Sequence, residues 1–358
     1  MINVWSVLFP FLTAFVVTTL ATPFSIRLIK KWGLIDRPER PNHPGAIHTK
    51  PIPRGGGIPL FIGAAISALI FLPITPTTLA IYFAALLALI VGVIDDKFNA
   101  ESKDVSPYLR LLINILCAAI VVASGVSITF ITNPLGGILY FDSLTLPFIS
   151  LLPITVSQII SMVWIIWVMN MLNWNKGVDG QMPGIVTISA IVIGLLSLRF
   201  PTTSGIDATL AFIVAGSALG FLIYNFHPAK IFPGYGATSL YLLLAVVSIL
   251  SSAKLATAIL VMGVPIIDAG FTILRRVLSG KSPFKGDYNH LYHILLKLKL
   301  TQRQIALFYW TISAILGAIS LSLDSRGKAF VIIMLIALVS GALLFLHFIL
   351  RIKHEKSS

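Results

Sequence analysis

Long apolar stretches alternate with short polar segments along the whole chain. Eleven of them reach or approach the roughly 20 residues a helix needs to cross about 30 Å of hydrocarbon at about 1.5 Å per residue. They fall at about 5–29, 56–73, 77–95, 109–130, 151–172, 183–200, 205–226, 236–252, 254–275, 303–323 and 328–350, the second, sixth and eighth being the shortest. The pattern predicts an all-α, polytopic transmembrane helical bundle of about 11 spans. No repeat, low-complexity linker or soluble segment interrupts it, so residues 1–358 are expected to form a single integral membrane domain. The first apolar run lacks a basic leader and a small-residue cleavage site, which predicts a retained first span. The single cysteine, Cys117, falls in the fourth span and has no partner for an intramolecular disulfide.

Composition agrees with that reading. The chain is 57% hydrophobic and 11% charged, too little polar surface for a protein solvated by water on all sides. Charge then orients it, because short loops rich in lysine and arginine stay in the cytoplasm. With the N-terminus outside, all but Arg199, Lys254, Arg326 and Lys328 of the 26 basic residues fall on inner segments. This predicts a cytoplasmic C-terminus and a multi-pass protein of the plasma (inner) membrane. The net charge of +13 is then concentrated on one face, where it also attracts anionic lipid headgroups. No nucleic-acid-binding module accompanies it.

Nearly all the polar chemistry lies in the inner loops. The first reads GLIDRPERPNHPGAIHTKPIPRGGGIPLFIG, residues 33–63. Its prolines and Gly55–Gly56–Gly57 oppose regular helix and can bring backbone amides close to a bound group, while Lys50 and Arg54 add positive charge. Such a loop suits a phosphate, or is an ordinary basic turn.

The third span ends in GVIDDKFN. Asp95 and Asp96 repel each other and meet the negative end of the helix dipole, so a cation should compensate them. Magnesium, or manganese in its place, suits hard oxygen ligands and substrate phosphates. Neighbours on a helix point about 100° apart, so one aspartate is expected at the ion and the other at water, substrate or Lys97.

The fifth span leaves the membrane as WVMNMLNWNKGVDGQMPG. Asn170 and Asn173 share a helix face, and Asp179 sits in a glycine-flanked turn. Their oxygens can complete a magnesium shell or bind sugar hydroxyls; a polar helix cap is the alternative. After the seventh span comes NFHPAKIFPGYGATSLY, carrying His227, Lys230 and Tyr235. The last long inner loop, RRVLSGKSPFKGDYNHLYHILLKLKLTQR, places His290 and His293 three apart on one face of a predicted helix, near Asp287. No third or fourth soft ligand accompanies them for zinc. They read as donors to a phosphate or pyrophosphate, or as interfacial structural residues.

Taken in order, GLIDRP, H-x-x-PIPRGGG, the IDD pair, the asparagine-rich VDG loop, NFHPAKIF, PIIDAGFTILRR and GKSPFKGDYNHLYH resemble the polyprenyl-phosphate N-acetylhexosamine-1-phosphate transferases, glycosyltransferase family 4. The resemblance covers about residues 33–300 and is greater to the undecaprenyl-phosphate GlcNAc-1-phosphate branch. It implies transfer of a phospho-N-acetylhexosamine from a UDP-sugar to polyprenyl phosphate, with release of UMP and a magnesium requirement, in cell-wall or surface-polysaccharide precursor synthesis. It further implies Asp95, Asp96, Asp179, His290 and His293 as catalytic residues. Lys50, Arg54 and Asn173 would bind substrate, joined on the reading of the loops themselves by Asn170 and Lys230, and Asp96, Asn173 and Asp179 would ligate the metal. UDP-N-acetylhexosamine, polyprenyl phosphate and membrane lipids are the implied partners, with a homodimer as a further expectation.

Three positions depart from the family pattern. Where the family usually has an aspartate in the asparagine loop this chain has Lys176. Its usual Gly-Asp after the seventh span is Gly234-Tyr235 here, and its His-x-His-His cluster is His290-Leu291-Tyr292-His293. The aspartate missing at Tyr235 is a principal metal ligand in the family, and a tyrosine hydroxyl is a poor substitute for it. Either Asp179, Asn173 and the aspartate pair hold the ion alone, or the chain is a catalytically silent polyprenyl-phosphate binding protein. A secondary transporter is the remaining rival. It is weakened by the scarcity of mid-span acids, of which Asp268 alone stands out, as a residue expected to pair with a basic group.

Overall fold

A computed structural model describes all residues except 1–3, 37–49, 104, 134, 145–153, 201–204, 251–254, 284–288 and 356–358. Thirteen helices and four short strands make up the described part. In chain order they are α1 (Trp5–Lys31), β1 (Ile35–Asp36), β2 (Ile52–Pro53), α2 (Gly57–Phe71), α3 (Pro76–Ala100), α4 (Pro107–Ala123), β3 (Phe130–Thr132), β4 (Ile138–Tyr140), α5 (Val156–Trp174), α6 (Gln181–Arg199), α7 (Ile206–Asn225), α8 (Thr238–Ile249), α9 (Leu255–Val261), α10 (Gly263–Leu278), α11 (Leu291–Lys297), α12 (Gln302–Ser322) and α13 (Ser325–Glu355). Seven helices, α1, α3, α5, α6, α7, α12 and α13, are long and apolar enough to cross a membrane, and the number is eight if the bent pair α9–α10 is counted as one span. Three shorter apolar helices, α2, α4 and α8, accompany them. The protein is a multi-pass, helical membrane protein, as the hydrophobic pattern predicts.

The boundaries correct that pattern in three places. The ninth stretch is two helices bent by 80° at a break after Val261, where Gly263 and Pro265 weaken the helix. The fourth helix stops at Ala123, and its expected end instead enters a β3–β4 hairpin pairing Phe130 with Tyr140. The third does not end at the aspartate pair but runs on to Ala100, which leaves Asp95 and Asp96 about a turn inside the helix.

Small residues let the helices approach. In α7, a Cβ on Gly216 or Gly220 would strike the α1 backbone carbonyls of Phe11 and Phe15, and in α2 one on Gly63 would strike Thr18 of α1. These four-residue spacings of small residues are how helices pack where lipid supplies no hydrophobic drive. Hydroxyls add to the contact: Thr18 Oγ1 donates to Ser217 Oγ at 3.1 Å, and Ser217 Oγ to the Leu60 carbonyl at 2.7 Å. At the centre lies α8. All twelve of its residues are buried, as expected of a helix apolar on every side, and at about 18 Å it is shorter than the hydrocarbon is thick.

The N-termini of α2 and α8 meet the middle of α3 at backbone distance. A Cβ on Gly57 would collide with the Gly236 carbonyl group, and one on Gly92 with Gly236 and Tyr235. The amides of Gly56 and Gly57 donate to the carbonyls of Phe232 and Pro233, both at 3.0 Å. The triple glycine therefore clamps the loop before α8, and these amides are not open to a phosphate as the sequence suggested. With these contacts the C-terminal ends of α1, α3, α5 and α7 gather at one end of the bundle with the N-terminal ends of α2, α6, α8 and α12.

Candidate active site

Three polar clusters surround the turn between α5 and α6. The first is built on the aspartate pair. Asp96 is fully buried, and its Oδ1 accepts from Arg54 Nε at 2.8 Å and from the Tyr235 amide at 2.7 Å, while Oδ2 accepts from the Gly236 amide at 3.2 Å. A Cβ on Gly234 would overlap the same carboxylate, and Gly234 itself has φ +71°. Only glycine meets both demands there. Asp95 points to another neighbour, as the 100° rotation requires: its Oδ1 accepts from Arg110 Nε at 2.6 Å. Its Oδ2 is buried without a hydrogen-bond partner among the described residues. The compensating cations are thus arginines from α4 and from the first inner loop, and Lys97 stays exposed.

Arg54 also reaches Asp36 at 3.2 Å, across the β1–β2 pairing that sets Asp36 opposite Ile52. Burial works against the Arg54 charge, and Asp96 and Asp36 outweigh it, so its pKa is raised. Lys176 enters this cluster from the α5–α6 turn. It is buried, and its Nζ donates to Asn173 Oδ1 at 2.5 Å and to the Gly234 carbonyl at 2.6 Å. It lies over the rings of Phe232 and Tyr235 at 5.8 and 5.7 Å. Burial pulls its pKa down to about 7, helped by the nearby Arg54 and opposed by Asp96 and Asp95. In either form the amine keeps N–H groups for its two acceptors. Tyr235 receives Asn114 Nδ2 on its hydroxyl at 3.3 Å, and burial raises its pKa further from neutrality.

The second cluster holds Asp179. Its Oδ2 accepts from the Ala229 amide at 3.0 Å and lies 2.8 Å from His227 Nδ1. The adjoining turn is fixed by Asn225, whose Oδ1 accepts from the Gly180 amide at 3.1 Å while its Nδ2 donates to Ile231 O at 2.8 Å. Lys230 sits beside it with Nζ 5.9 Å from the Tyr224 ring, and Arg303 Nε donates to the His227 carbonyl at 3.1 Å.

The third cluster is centred on His290. Its Nδ1 lies 2.8 Å from Asp268 Oδ2, whose other oxygen accepts from the Leu291 amide at 2.8 Å. This carboxylate holds His290 by Nδ1. Asp268 is the basic-group partner that sequence anticipated, but its place beside a site histidine was not foreseen; the signal was an acid in an apolar span. His290 is the N-cap of α11 rather than part of it, so the two histidines do not share a helix face as expected. Tyr292 stands between them, its ring stacked 6.1 Å from His290 and tilted by 34° against His293 at 4.1 Å. A Cβ on Gly177 would overlap Tyr292, so α11 packs directly on the turn that carries Lys176 and Asp179.

The remaining expected residues fall outside these clusters. Lys50 is exposed, and Asn170 Nδ2 donates to its own helix at Ile166 O, 2.8 Å away. Asp287 lies outside the described residues. Asp96, Asn173 and Asp179, expected together around a metal, each have their own protein partners, with Asp96 in the first cluster and Asp179 in the second. Among the described residues no three acidic, histidine or cysteine side chains converge as a metal site.

Comparison with known proteins adds the lineage. The sequence profile of glycosyl transferase family 4 matches residues 78–252. The probable undecaprenyl-phosphate N-acetylglucosaminyl 1-phosphate transferase of Bacillus subtilis strain 168 is 30% identical over 333 residues, 88% of this chain and 84% of the relative. The decaprenyl-phosphate N-acetylglucosaminephosphotransferase of Mycolicibacterium smegmatis is 27% identical over 344 residues, 86% of this chain and 80% of the relative. The undecaprenyl-phosphate alpha-N-acetylglucosaminyl 1-phosphate transferase of Haemophilus influenzae is 29% identical over 330 residues, covering 88% and 85%. With a polar site of this kind at one end of a membrane bundle, and with similarity that spans nearly the whole chain, the protein belongs to glycosyl transferase family 4.

Proposed function

We propose that the chain transfers a phospho-N-acetylhexosamine, GlcNAc-1-phosphate in the first instance, from its UDP-sugar to a polyprenyl phosphate such as undecaprenyl phosphate, and releases UMP. The observation that carries this is the convergence of Asp95, Asp179, His290 and their partners around one turn. The same end of the bundle carries most of the positive charge, and we place it at the cytoplasmic face of the plasma membrane, with the N-terminus outside and the C-terminus inside. The whole chain then acts as one catalytic unit.

In the reaction, an oxygen of the lipid phosphate attacks the phosphorus that bears the sugar. The bond from that phosphorus to the bridging oxygen breaks, and UMP leaves with the electron pair. The acceptor is already nucleophilic, so the protein's part is to bring two anions together and to stabilise the departing one. Asp95, fixed by Arg110 and with Oδ2 unpartnered, is placed to take or orient a proton of the lipid phosphate. His290, held by Asp268, and His293 stabilise phosphate oxygens. Lys230, with Arg303 nearby, supplies charge beside Asp179, and exposed Lys50 draws anions toward the site.

Members of the family generally depend on a divalent metal ion, and magnesium is the ion the resemblance implies. The residues present here do not make a site for it. Asp96 is filled by Arg54 and two amides, Asn173 by Lys176, and Asp179 Oδ2 by His227 and Ala229.

The test is UMP release by the purified chain from UDP-GlcNAc and undecaprenyl phosphate. Release dependent on both substrates supports the transferase. The second reading, a silent polyprenyl-phosphate binding protein, is favoured by Lys176 inside the acidic cluster. Retained lipid binding without UMP release under any ionic condition would establish it instead.

A further inference from the structure

Two departures from the family pattern touch each other. Lys176 lies over the Tyr235 ring, and Arg110 Cζ lies 5.2 Å from the centre of that ring, so one neutral aromatic stands between two cationic side chains in a favourable arrangement. The acidic centre they share contains Asp36, Asp95 and Asp96, which pair with Arg54 and Arg110, and Lys176, when protonated, brings a third positive charge to the three carboxylates. Relative to an aspartate at each position, Lys176 changes the local charge by two and Tyr235 by one, three in all. A magnesium ion would bring two.

Ligand geometry leads to the same place. Magnesium demands near-octahedral oxygen coordination at about 2.1 Å and is held by one or two carboxylates together with waters and phosphates. Here the Asn173 oxygen and the Gly234 carbonyl both accept from Lys176 Nζ. Asp96 is engaged on both oxygens, and the Tyr235 hydroxyl is engaged by Asn114. Of the four oxygens of the Asp95–Asp96 pair, Asp95 Oδ2 is left, on a carboxylate already paired with Arg110. An ion could enter only by displacing a buried amine or guanidinium from its acceptors, which would leave that group desolvated and unpaired.

We infer that the amine of Lys176, together with Arg54 and Arg110, holds the acidic centre in place of a divalent ion, and that the chain takes the diphosphate of its donor substrate without one. The second half rests on the transferase reading; the first half does not.

Manganese, followed by the loss of its free-ion electron-spin-resonance signal, is the probe for the first half. The purified full-length wild type should bind no stoichiometric Mn²⁺ below about 1 mM, roughly 4 kcal/mol of binding free energy. The double variant Lys176→Asp/Tyr235→Asp should gain one site at least about tenfold tighter. Lys176→Gln, which keeps a donor near Gly234, is the second variant should the double one fail to fold, and it should gain a weaker site. One tight Mn²⁺ site on the wild type would overturn the inference. Folded variants that gain no site would overturn the assignment to Lys176. For the second half, calorimetric titration with UDP should give affinities within about twofold in magnesium and in EDTA, whereas binding that collapses in EDTA would overturn it. A wild type that binds UDP in neither condition counts against the transferase reading, and the Mn²⁺ titration still decides the role of Lys176.

Discussion

Lys176 donates to the carbonyl oxygen of Gly234, 58 positions further along the chain, and so ties the turn that follows α5 to the turn that precedes α8. Gly234 in turn lies against Asp96. The aspartate pair, the asparagine loop and the glycine turn therefore form one mechanical unit, and substitutions in it should separate chemistry from architecture.

Asp95→Asn and Asp96→Asn are expected to differ. Asp95→Asn should lower the rate of UMP release at least about tenfold, roughly 1.4 kcal/mol of transition-state stabilisation, with a smaller loss of stability than Asp96→Asn, because its partner Arg110 is partly exposed and water can take over the broken contact. Asp96→Asn should lower the rate and also destabilise the fold, by about 3 kcal/mol or more, because it breaks a buried ion pair and weakens two amide contacts. Equal unfolding temperatures for the two variants would contradict the structural role given to Asp96.

Asp268 acts through His290, so its loss should appear in turnover rather than in substrate capture. Asp268→Asn should reduce kcat about tenfold with KM for the UDP-sugar within about twofold. A change in KM alone, with kcat intact, would reduce Asp268 to a packing residue.

Gly92→Ala and Gly57→Ala probe the backbone contact with Gly236. Each adds a methyl where no room exists, and overpacking typically costs about 1–3 kcal/mol; here the obstructing atoms are backbone, so the upper part of that range or beyond is expected. Gly270→Ala is the control, since nothing lies within 4 Å of its added carbon. Thermal unfolding of the three side by side checks the prediction.

The cytoplasmic placement of the site is tested by fusions. A reporter active only in the cytoplasm should work after Ser358, and one active only outside should work when inserted within residues 131–150. The reverse pattern would move every proposed functional group to the wrong side of the membrane for a UDP-sugar.

Much of this was legible in the sequence because hydrophobic length is a local signal. Each predicted stretch contains helix, though the ninth is two bent helices and α2, α4 and α8 are short, and the acidic pair was recognisable by its electrostatic cost. What local patterns could not show was who compensates whom. Arg54 and Arg110 lie 42 and 15 positions from the aspartates they neutralise, and nothing in their own neighbourhoods points to an aspartate as the partner. The glycines of residues 55–57 illustrate the same limit: an amide-rich loop looks the same in sequence whether its donors face a ligand or, as here, the carbonyls of Phe232 and Pro233. His290 and His293 carry the right spacing for one helix face, but α11 starts one residue too late to provide it.

The meeting of Gly57, Gly92 and Gly236 separates tolerance from intolerance within a few ångströms. Where main chain rests on main chain, the spacing of α2, α3 and α8 does not depend on which side chains project into the polar centre beside them. Charges there can be exchanged, as Lys176 and Tyr235 illustrate, while the frame keeps its dimensions. A lineage built this way can revise its reagents and keep its vessel.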